Sequence, residues 1–159
     1  QHSPAQQAAS AYMNFLIRPD AEELLAADDY RRLWTFFTSM GAADGHNPWL
    51  TDERRAQYRA IWQRGLTGPL NYYRASPLRP ARPGDPAAAA VTIPREMLQV
   101  SLPTLVIWAT QDTALLPSLL DGLEDFVPNM QLKHVENATH WIVHEQPALV
   151  TGHLQQFLA

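Results

Sequence analysis

The sequence predicts an α/β fold in which a helical region precedes two parallel strands with flanking helices. Three observations lead to this prediction. Apolar residues recur at helical spacing through residues 1–75, prolines interrupt the chain at 76–94, and residues 95–159 follow a strand, helix, strand, helix pattern. Two strands joined through a helix are expected to be parallel, with a right-handed crossover. We therefore expect a helical domain, an extended connector and an α/β region.

The composition is that of a globular domain and argues against several classes of function. The 159 residues are 46% hydrophobic and 18% charged, with a net charge of −4, and such a chain can build a core. It has no basic stripe for nucleic acid and no apolar run long enough for a membrane span. Cysteine is absent, which excludes disulfides and thiol catalysis. Because the N-terminus lacks a signal-peptide pattern, we expect a cytoplasmic protein.

The helical region, residues 1–75, contains recognisable helix start and stop signals. Ser3 precedes Pro4 and is a candidate N-cap, and Thr51 precedes two acidic residues in the same way. Gly41 and Gly65 are candidate helix ends. The predicted helices cover about 4–16, 21–40, 52–64 and 68–74.

The α/β region begins after the proline-rich connector. Thr104–Ala109 is a continuous apolar run rich in β-branched residues, as in a strand buried on both faces. A helix is predicted at 117–126, an alternating strand at 131–136 and an amphipathic helix at 147–158. Two strands alone cannot cover both faces of such a buried strand. We therefore expect further strands beside it, so that the chain is incomplete as a fold.

Two residues at the ends of the predicted strands can carry acid–base chemistry. Asp112 follows the first strand and His140 follows the second. The carboxyl ends of neighbouring parallel strands lie at the same sheet edge, where catalytic groups of α/β sheets gather. A carboxylate there can orient an imidazole and stabilise its protonated form. The alternative is an acidic turn residue and a loop histidine that never meet.

A metal site is the other chemistry that the histidines could support. His140 and His144 have a spacing that suits a metal only on a helix. Residues 142–143 and 146–147 are unfavourable for a helix there. We therefore predict no metal site.

Two motifs around these residues resemble those of α/β-hydrolases. The stretch from Pro103 to Leu115 resembles the acid-bearing strand and loop of that superfamily, with Ala109 in place of the usual glycine. Asn137-Ala-Thr-His140-Trp141, followed by Glu145-Gln-Pro147, resembles the histidine loop. This second motif is similar to those of epoxide hydrolases and of haloacid- or haloalkane-dehalogenase-like members.

The resemblance implies that the chain forms the C-terminal part of an α/β-hydrolase fold, a helical cap followed by the acid and histidine strands. It assigns Asp112 as the acid and His140 as the general base of a catalytic triad, in the superfamily's order along the chain. No metal or organic cofactor is implied.

The helical region resembles the cap, or lid, of the same superfamily. Asn71-Tyr-Tyr-Arg74 resembles the cap motif of epoxide hydrolases, in which a tyrosine hydroxyl points at the epoxide oxygen. By position that catalytic tyrosine is Tyr73. The resemblance implies a second tyrosine, for which Tyr12 is the candidate and Phe15 the alternative occupant.

Aromatic residues of the two regions are candidates for binding an apolar small-molecule substrate. We assign Tyr12, Tyr72 and Trp141 to substrate binding. Packing in a core or an interface explains such aromatic residues equally well.

The nucleophile of the triad has no candidate in the sequence. Neither Gly-x-Ser-x-Gly nor Gly-x-Asp-x-Gly occurs. We therefore expect an epoxide hydrolase-like enzyme that is inactive without an N-terminal hydrolase half, encoded in the same gene or supplied by a second chain. Dehalogenase or ester/C–C hydrolase chemistry on the same fold is the first alternative, and a non-catalytic fragment or binding module is the second. Assembly as a homo-oligomer is a further expectation.

Overall fold

A computed structural model describes residues 3–42 and 49–159 of the chain. The described residues divide into two compact units. One comprises the described parts of 1–39 and 49–91, and the other those of 40–48 and 92–159. In the described ranges, no helix combines the length and apolar character needed to cross a membrane.

The first unit is helical, as predicted, although its first helix is divided. A turn at Ser10 and Ala11 separates α1 (Pro4–Ala9) from α2 (Tyr12–Leu16). Both predicted caps are confirmed. The Ser3 hydroxyl oxygen accepts a hydrogen bond from the N–H of Gln6, and the Thr51 hydroxyl oxygen accepts one from Arg54, each at 3.3 Å. The later helices are α3 (Ala21–Ser39), α4 (Asp52–Trp62) and α5 (Thr67–Ala75).

Helix α3 is interrupted at residues 27–30, where the sequence predicted a continuous helix. Three consecutive non-glycine residues have φ between 52° and 61°. Each left-handed residue costs about 1–3 kcal/mol, so the surrounding structure must hold this turn in place. The Asp29 carboxylate pairs with the Arg59 guanidinium at 2.7 Å, and the Asp29 carbonyl accepts a bond from the Trp34 indole N–H at 3.0 Å. The prediction was wrong here because apolar periodicity does not report such tertiary contacts.

A bidentate ion pair joins α3 to α5 in the first unit. Both Glu22 carboxylate oxygens accept hydrogen bonds from the Arg74 guanidinium at 2.6 Å. The bond to Arg74 is the main reason that the pKa of Glu22 falls from 4.5 to about 2. Because folding lowers this pKa, the pair stabilises the fold above pH 4.5, and the stabilisation disappears as the pH falls toward 2.

Glu22→Gln should therefore remove a pH-dependent part of the stability. We expect the difference in the free energy of unfolding between the unsubstituted and the Glu22→Gln proteins to be largest above pH 4.5 and to shrink toward pH 2. Urea denaturation at several pH values measures this difference. Glu23→Gln, at an exposed neighbouring position, is the control for the loss of one negative charge from the same helical turn. A Glu22→Gln difference that stays constant over this range would contradict the prediction.

The second unit is built around a two-stranded parallel sheet. Strands β1 (Thr104–Ala109) and β2 (Met130–Val135) pair in a register that places Thr104 opposite Met130 and Ala109 opposite Val135. Together with the preceding helices, this sheet confirms the predicted fold class. Residues 104–108 are only half-buried, although their sequence is typical of a strand covered on both faces.

The segments that flank β2 differ in part from the prediction. The expected helix at 117–126 is wrong, because Gly122, with φ 77°, separates two short 3₁₀ helices, Pro117–Leu120 and Leu123–Asp125. A single helical turn occurs at 142–145, where no helix was expected, and it ends before Pro147. The closing helix is confirmed. The helices of this unit are α6 (Arg95–Leu98), α7 (Ile142–Glu145) and α8 (Pro147–Leu158).

Candidate active site

Asp112 lies in the tight loop that follows β1. Its Oδ1 accepts hydrogen bonds from the backbone N–H groups of Ala114 at 2.8 Å and Leu115 at 2.9 Å. An aspartate that bonds the backbone just ahead of it stabilises a turn. These two bonds orient the carboxylate so that Oδ2 meets the histidine loop.

His140 lies in the loop between β2 and α7. Backbone hydrogen bonds tie this loop to the Asp112 loop: Gln111 donates to the Ala138 carbonyl at 3.1 Å, and Thr110 donates to the Val135 carbonyl at 3.0 Å. The parallel register brings both strand ends to one edge of the sheet. Each loop is therefore held by the other as well as by its own strand.

The two side chains meet in a hydrogen bond. The distance from His140 Nδ1 to Asp112 Oδ2 is 2.9 Å, and the side chains are 30% and 10% exposed. Burial opposes the charge on Asp112. The hydrogen bonds from His140, Leu115 and Ala114 outweigh that effect and hold the pKa of Asp112 below its ordinary value.

This geometry selects one tautomer of the imidazole. Because Asp112 is ionised at neutral pH, its Oδ2 accepts a hydrogen bond from Nδ1, which therefore carries the proton of the neutral imidazole. Nε2 of neutral His140 then has a lone pair and can accept a proton from water. The arrangement is that of an oriented general base.

Two tyrosines of the first unit also lie together. Tyr12 begins α2 and Tyr73 lies in α5; their ring centroids are 6.3 Å apart, edge to face, and a side-chain hydrogen bond joins them. Burial, with a contribution from Tyr72, raises the pKa of Tyr73, and the bond to Tyr12 lowers it only in part. Tyr73 is therefore a protonated donor at neutral pH. Phe15, the alternative to Tyr12, lies under the guanidinium of Arg18, at 5.8 Å.

The remaining predicted residues occupy different settings. Tyr72 is 78% exposed, and its ring contacts Tyr73 edge-on at 5.7 Å. Trp141 stands edge-on to His140, with ring centroids 5.4 Å apart. His144 lies within α7, which begins after His140. Across 3–42 and 49–159, no group of three or more potential metal-ligating side chains occurs.

A cavity of about 480 Å³ lies beside Tyr12 in the first unit. Aromatic and aliphatic side chains form much of its wall, and two arginines and two hydroxyl residues form the rest. Such a lining suits an apolar small molecule with a few polar groups. The lining residues are Tyr12, Phe15, Leu16, Leu25, Arg31, Arg32, Thr35, Phe36 and Ser39.

Sequence reasoning did not assign a role to Glu145, which the structure buries behind the histidine loop. Its side chain is 4% exposed, and its carboxylate accepts two hydrogen bonds from Thr139, the residue before His140. The Glu-x-Pro motif marked Glu145 in the sequence, but a motif alone does not show which groups bind the carboxylate.

Comparison with known proteins shows that the chain is similar to hydrolases. No protein-family model matches the chain. The AB hydrolase superfamily protein YfhM of Bacillus subtilis is 31% identical over 98% of the chain. Epoxide hydrolase 2 of Caenorhabditis elegans is 26% identical over 86% of it. The crystal structure of the Bacillus megaterium epoxide hydrolase in complex with an inhibitor superimposes with a TM-score of 0.81 and 26% identity over 99% of the chain.

The chain spans about half the length of the relatives that it matches. It covers 50% of YfhM, 36% of the C. elegans protein and 54% of the B. megaterium chain. The chain thus has the fold of the C-terminal part of an α/β-hydrolase, and it is similar to hydrolases of that superfamily, epoxide hydrolases among them, over nearly its whole length.

Proposed function

We propose that the chain is the acid- and base-bearing half of an epoxide hydrolase, which acts together with an N-terminal half that supplies a carboxylate nucleophile. The bond between His140 and Asp112 at one sheet edge is the observation that supports this proposal most directly. The tyrosine pair Tyr12–Tyr73 adds a donor for an epoxide oxygen. We call the chain and the N-terminal half together the two-half protein.

The proposed reaction has two steps. The nucleophilic carboxylate attacks an epoxide carbon, the ring C–O bond breaks, and the oxygen that leaves takes a proton from Tyr73 while an ester forms. His140 then removes a proton from water, and the hydroxide attacks the ester carbonyl. The ester C–O bond breaks, and the proton of the carboxylic acid passes to the alkoxide that leaves, which releases a diol and regenerates the carboxylate. The imidazolium then loses its proton, and Tyr73 regains one, through solvent. Asp112 stabilises the imidazolium while it exists.

Two features support the proposed partner and substrate. Strand β1 is only half-buried although its sequence suits a fully covered strand, so it offers an edge on which the N-terminal half can add strands. That half can belong to the same gene product or to a second chain. The mostly apolar cavity beside Tyr12 suits an apolar epoxide.

The test is an activity assay with the chain alone and with the two-half protein. We expect a terminal aryl epoxide to be converted to its diol only by the two-half protein. A haloalkane and an aryl ester, assayed in parallel, distinguish dehalogenase and esterase chemistry. A serine at the nucleophile elbow, or no turnover of any of these substrates with Asp112 and His140 intact, would refute the proposal.

Substitution of the tyrosines tests the leaving-group step. Tyr73→Phe in the two-half protein should lower kcat for epoxide opening by about 10²-fold, since removing one preorganised donor has an effect of this size. Tyr12→Phe should act in the same direction. Tyr58→Phe is the matched control, because Tyr58 lies in α4 with its ring against Phe37 at 5.2 Å, and its substitution should leave the rate nearly unchanged. Equal kcat values for the Tyr73→Phe and unsubstituted proteins would show that Tyr73 only packs in the cap and does not take part in epoxide opening.

A further inference from the structure

We propose that Glu145 is a positioning residue for the general base and acts through Thr139. This inference rests on the proposed function, because it concerns the step that His140 performs. Among the described residues, Glu145 is the one charged residue that is buried, with 4% of its surface exposed. Burial of a carboxylate is unfavourable unless hydrogen bonds compensate it, so the partners of this group indicate its role.

Both carboxylate oxygens of Glu145 accept hydrogen bonds from the residue that precedes the base. The Thr139 N–H donates to Oε2 and the Thr139 hydroxyl donates to Oε1, each at 2.8 Å. The same hydroxyl oxygen accepts a bond from the Trp141 N–H at 3.3 Å, and the Trp141 carbonyl accepts one from the Glu145 N–H at 3.0 Å. His140 therefore lies between two residues that are both hydrogen-bonded to Glu145. Thr139 bonds the Glu145 carboxylate, and Trp141 bonds the Glu145 backbone N–H.

A close backbone approach constrains Thr139 from another direction within the same unit. Gly41 has φ +94°, and a Cβ at this position would lie 2.6 Å from Thr139 Cγ2. Only glycine tolerates this contact without a shift of one of the two segments. Thr139 is thus held by the carboxylate and by the backbone at Gly41, which leaves the His140 backbone little room to move.

The two steps of the proposed reaction depend differently on this constraint. Ester formation does not use His140, whereas ester hydrolysis requires Nε2 to meet a water molecule. A displacement of a catalytic group by about 1 Å can lower a rate about 10²-fold. Loosening Thr139 should therefore slow hydrolysis and leave ester formation unchanged. A residue that merely stabilised the fold would affect both steps together.

The experiment measures both steps separately in the two-half protein. Rapid quenching and intact-protein mass spectrometry follow the rise and decay of the ester with a terminal aryl epoxide. Glu145→Gln places an NH₂ group against one of the two Thr139 donors, so that one bond is lost. We expect hydrolysis to slow by about 10- to 100-fold, with ester formation within about 2-fold of the unsubstituted rate.

Two further substitutions sharpen the result. Thr139→Val removes the hydroxyl and keeps the side-chain shape, so we expect the same selective loss of ester hydrolysis even if Glu145→Gln folds poorly. Thr139→Ser keeps the hydroxyl and should retain most of the rate of ester hydrolysis. Effects of the Glu145 and Thr139 substitutions should be less than additive, because both act on the same hydrogen bonds. Glu136→Gln is the matched control: this carboxylate of the same loop is exposed and accepts a bond from the Thr110 hydroxyl at 3.0 Å.

The outcomes separate this proposal from the function on which it rests. If the unsubstituted two-half protein forms no ester, the proposed function fails. The other case is that the unsubstituted two-half protein forms and hydrolyses the ester as proposed. If the Thr139→Val and Glu145→Gln proteins then hydrolyse the ester at the unsubstituted rate, the positioning role is overturned. An equal fall of both steps, in proportion to the folded fraction seen by circular dichroism, would also overturn it.

Discussion

The two-half protein carrying His140→Gln should react with one epoxide molecule and stop as a covalent ester. The carboxylate nucleophile can open the epoxide without a base, but hydrolysis of the ester needs a group that accepts a proton from water. Glutamine cannot accept that proton, so we expect turnover to fall by about 10²- to 10⁴-fold. The mass of the intact protein should increase by that of one substrate molecule.

The control for this experiment is His134→Gln, an exposed histidine on β2. It should turn over normally and show no accumulated adduct. If the His140→Gln protein gave no adduct with any reactive epoxide, the ester mechanism would be contradicted. Normal turnover by that protein would remove His140 from the reaction altogether.

Asp112→Asn should cause a loss of similar or larger size for a different reason. Oδ1 of Asp112 already accepts two backbone hydrogen bonds, from Ala114 and Leu115. If the asparagine keeps those bonds through its carbonyl oxygen, its NH₂ group faces His140 Nδ1 and donates to it. The proton of the neutral imidazole then lies on Nε2, which is the wrong tautomer for a base. We expect kcat to fall by up to about 10⁴-fold, as measured by steady-state diol formation.

Asp121→Asn is a matched control, because Asp121 is exposed in the segment after β1. It should retain normal turnover. An Asp112→Asn protein with an unchanged kcat would show that the carboxylate does not select the tautomer. If the ester also accumulates in the Asp112→Asn protein, as we expect for His140→Gln, the fall in kcat is due to slower ester hydrolysis.

The elements that were predicted correctly depend on local sequence. The apolar run Thr104–Ala109 is a strand because its β-branched side chains suit a pleated surface, and the alternation in the next strand has the same basis. The caps at Ser3 and Thr51 form because their hydroxyl oxygens bond N–H groups only a few residues away. No distant contact is needed for these features.

The elements that were predicted wrongly depend on contacts that are distant in sequence or on backbone conformation. The break at 27–30 persists because Asp29 binds Arg59 and Trp34, and hydrophobic periodicity carries no record of such bonds. The expected helix after Pro117 is divided at Gly122, where the backbone is left-handed. A glycine in an apolar pattern does not by itself show whether the backbone turns there.

The candidate site shows the same division between local sequence and tertiary structure. Asp112 and His140 could be selected from their positions after two strand-like segments and from the motifs around them. Position in the sequence does not separate Tyr12 from Phe15, because both lie on one short helix, whereas in the structure it is Tyr12 that lies against Tyr73.

The sequence by itself determined both strands and most of the helices, the candidate acid and base, and the resemblance to hydrolases, because these features follow from residue types at fixed spacings along the chain. The tertiary structure alone decided that His140 Nδ1 meets Asp112 Oδ2 and that Glu145 is buried against Thr139. Hydrogen-bond geometry depends on the register of two parallel strands and on the path of the loops between elements. Spacing in sequence does not specify either of these.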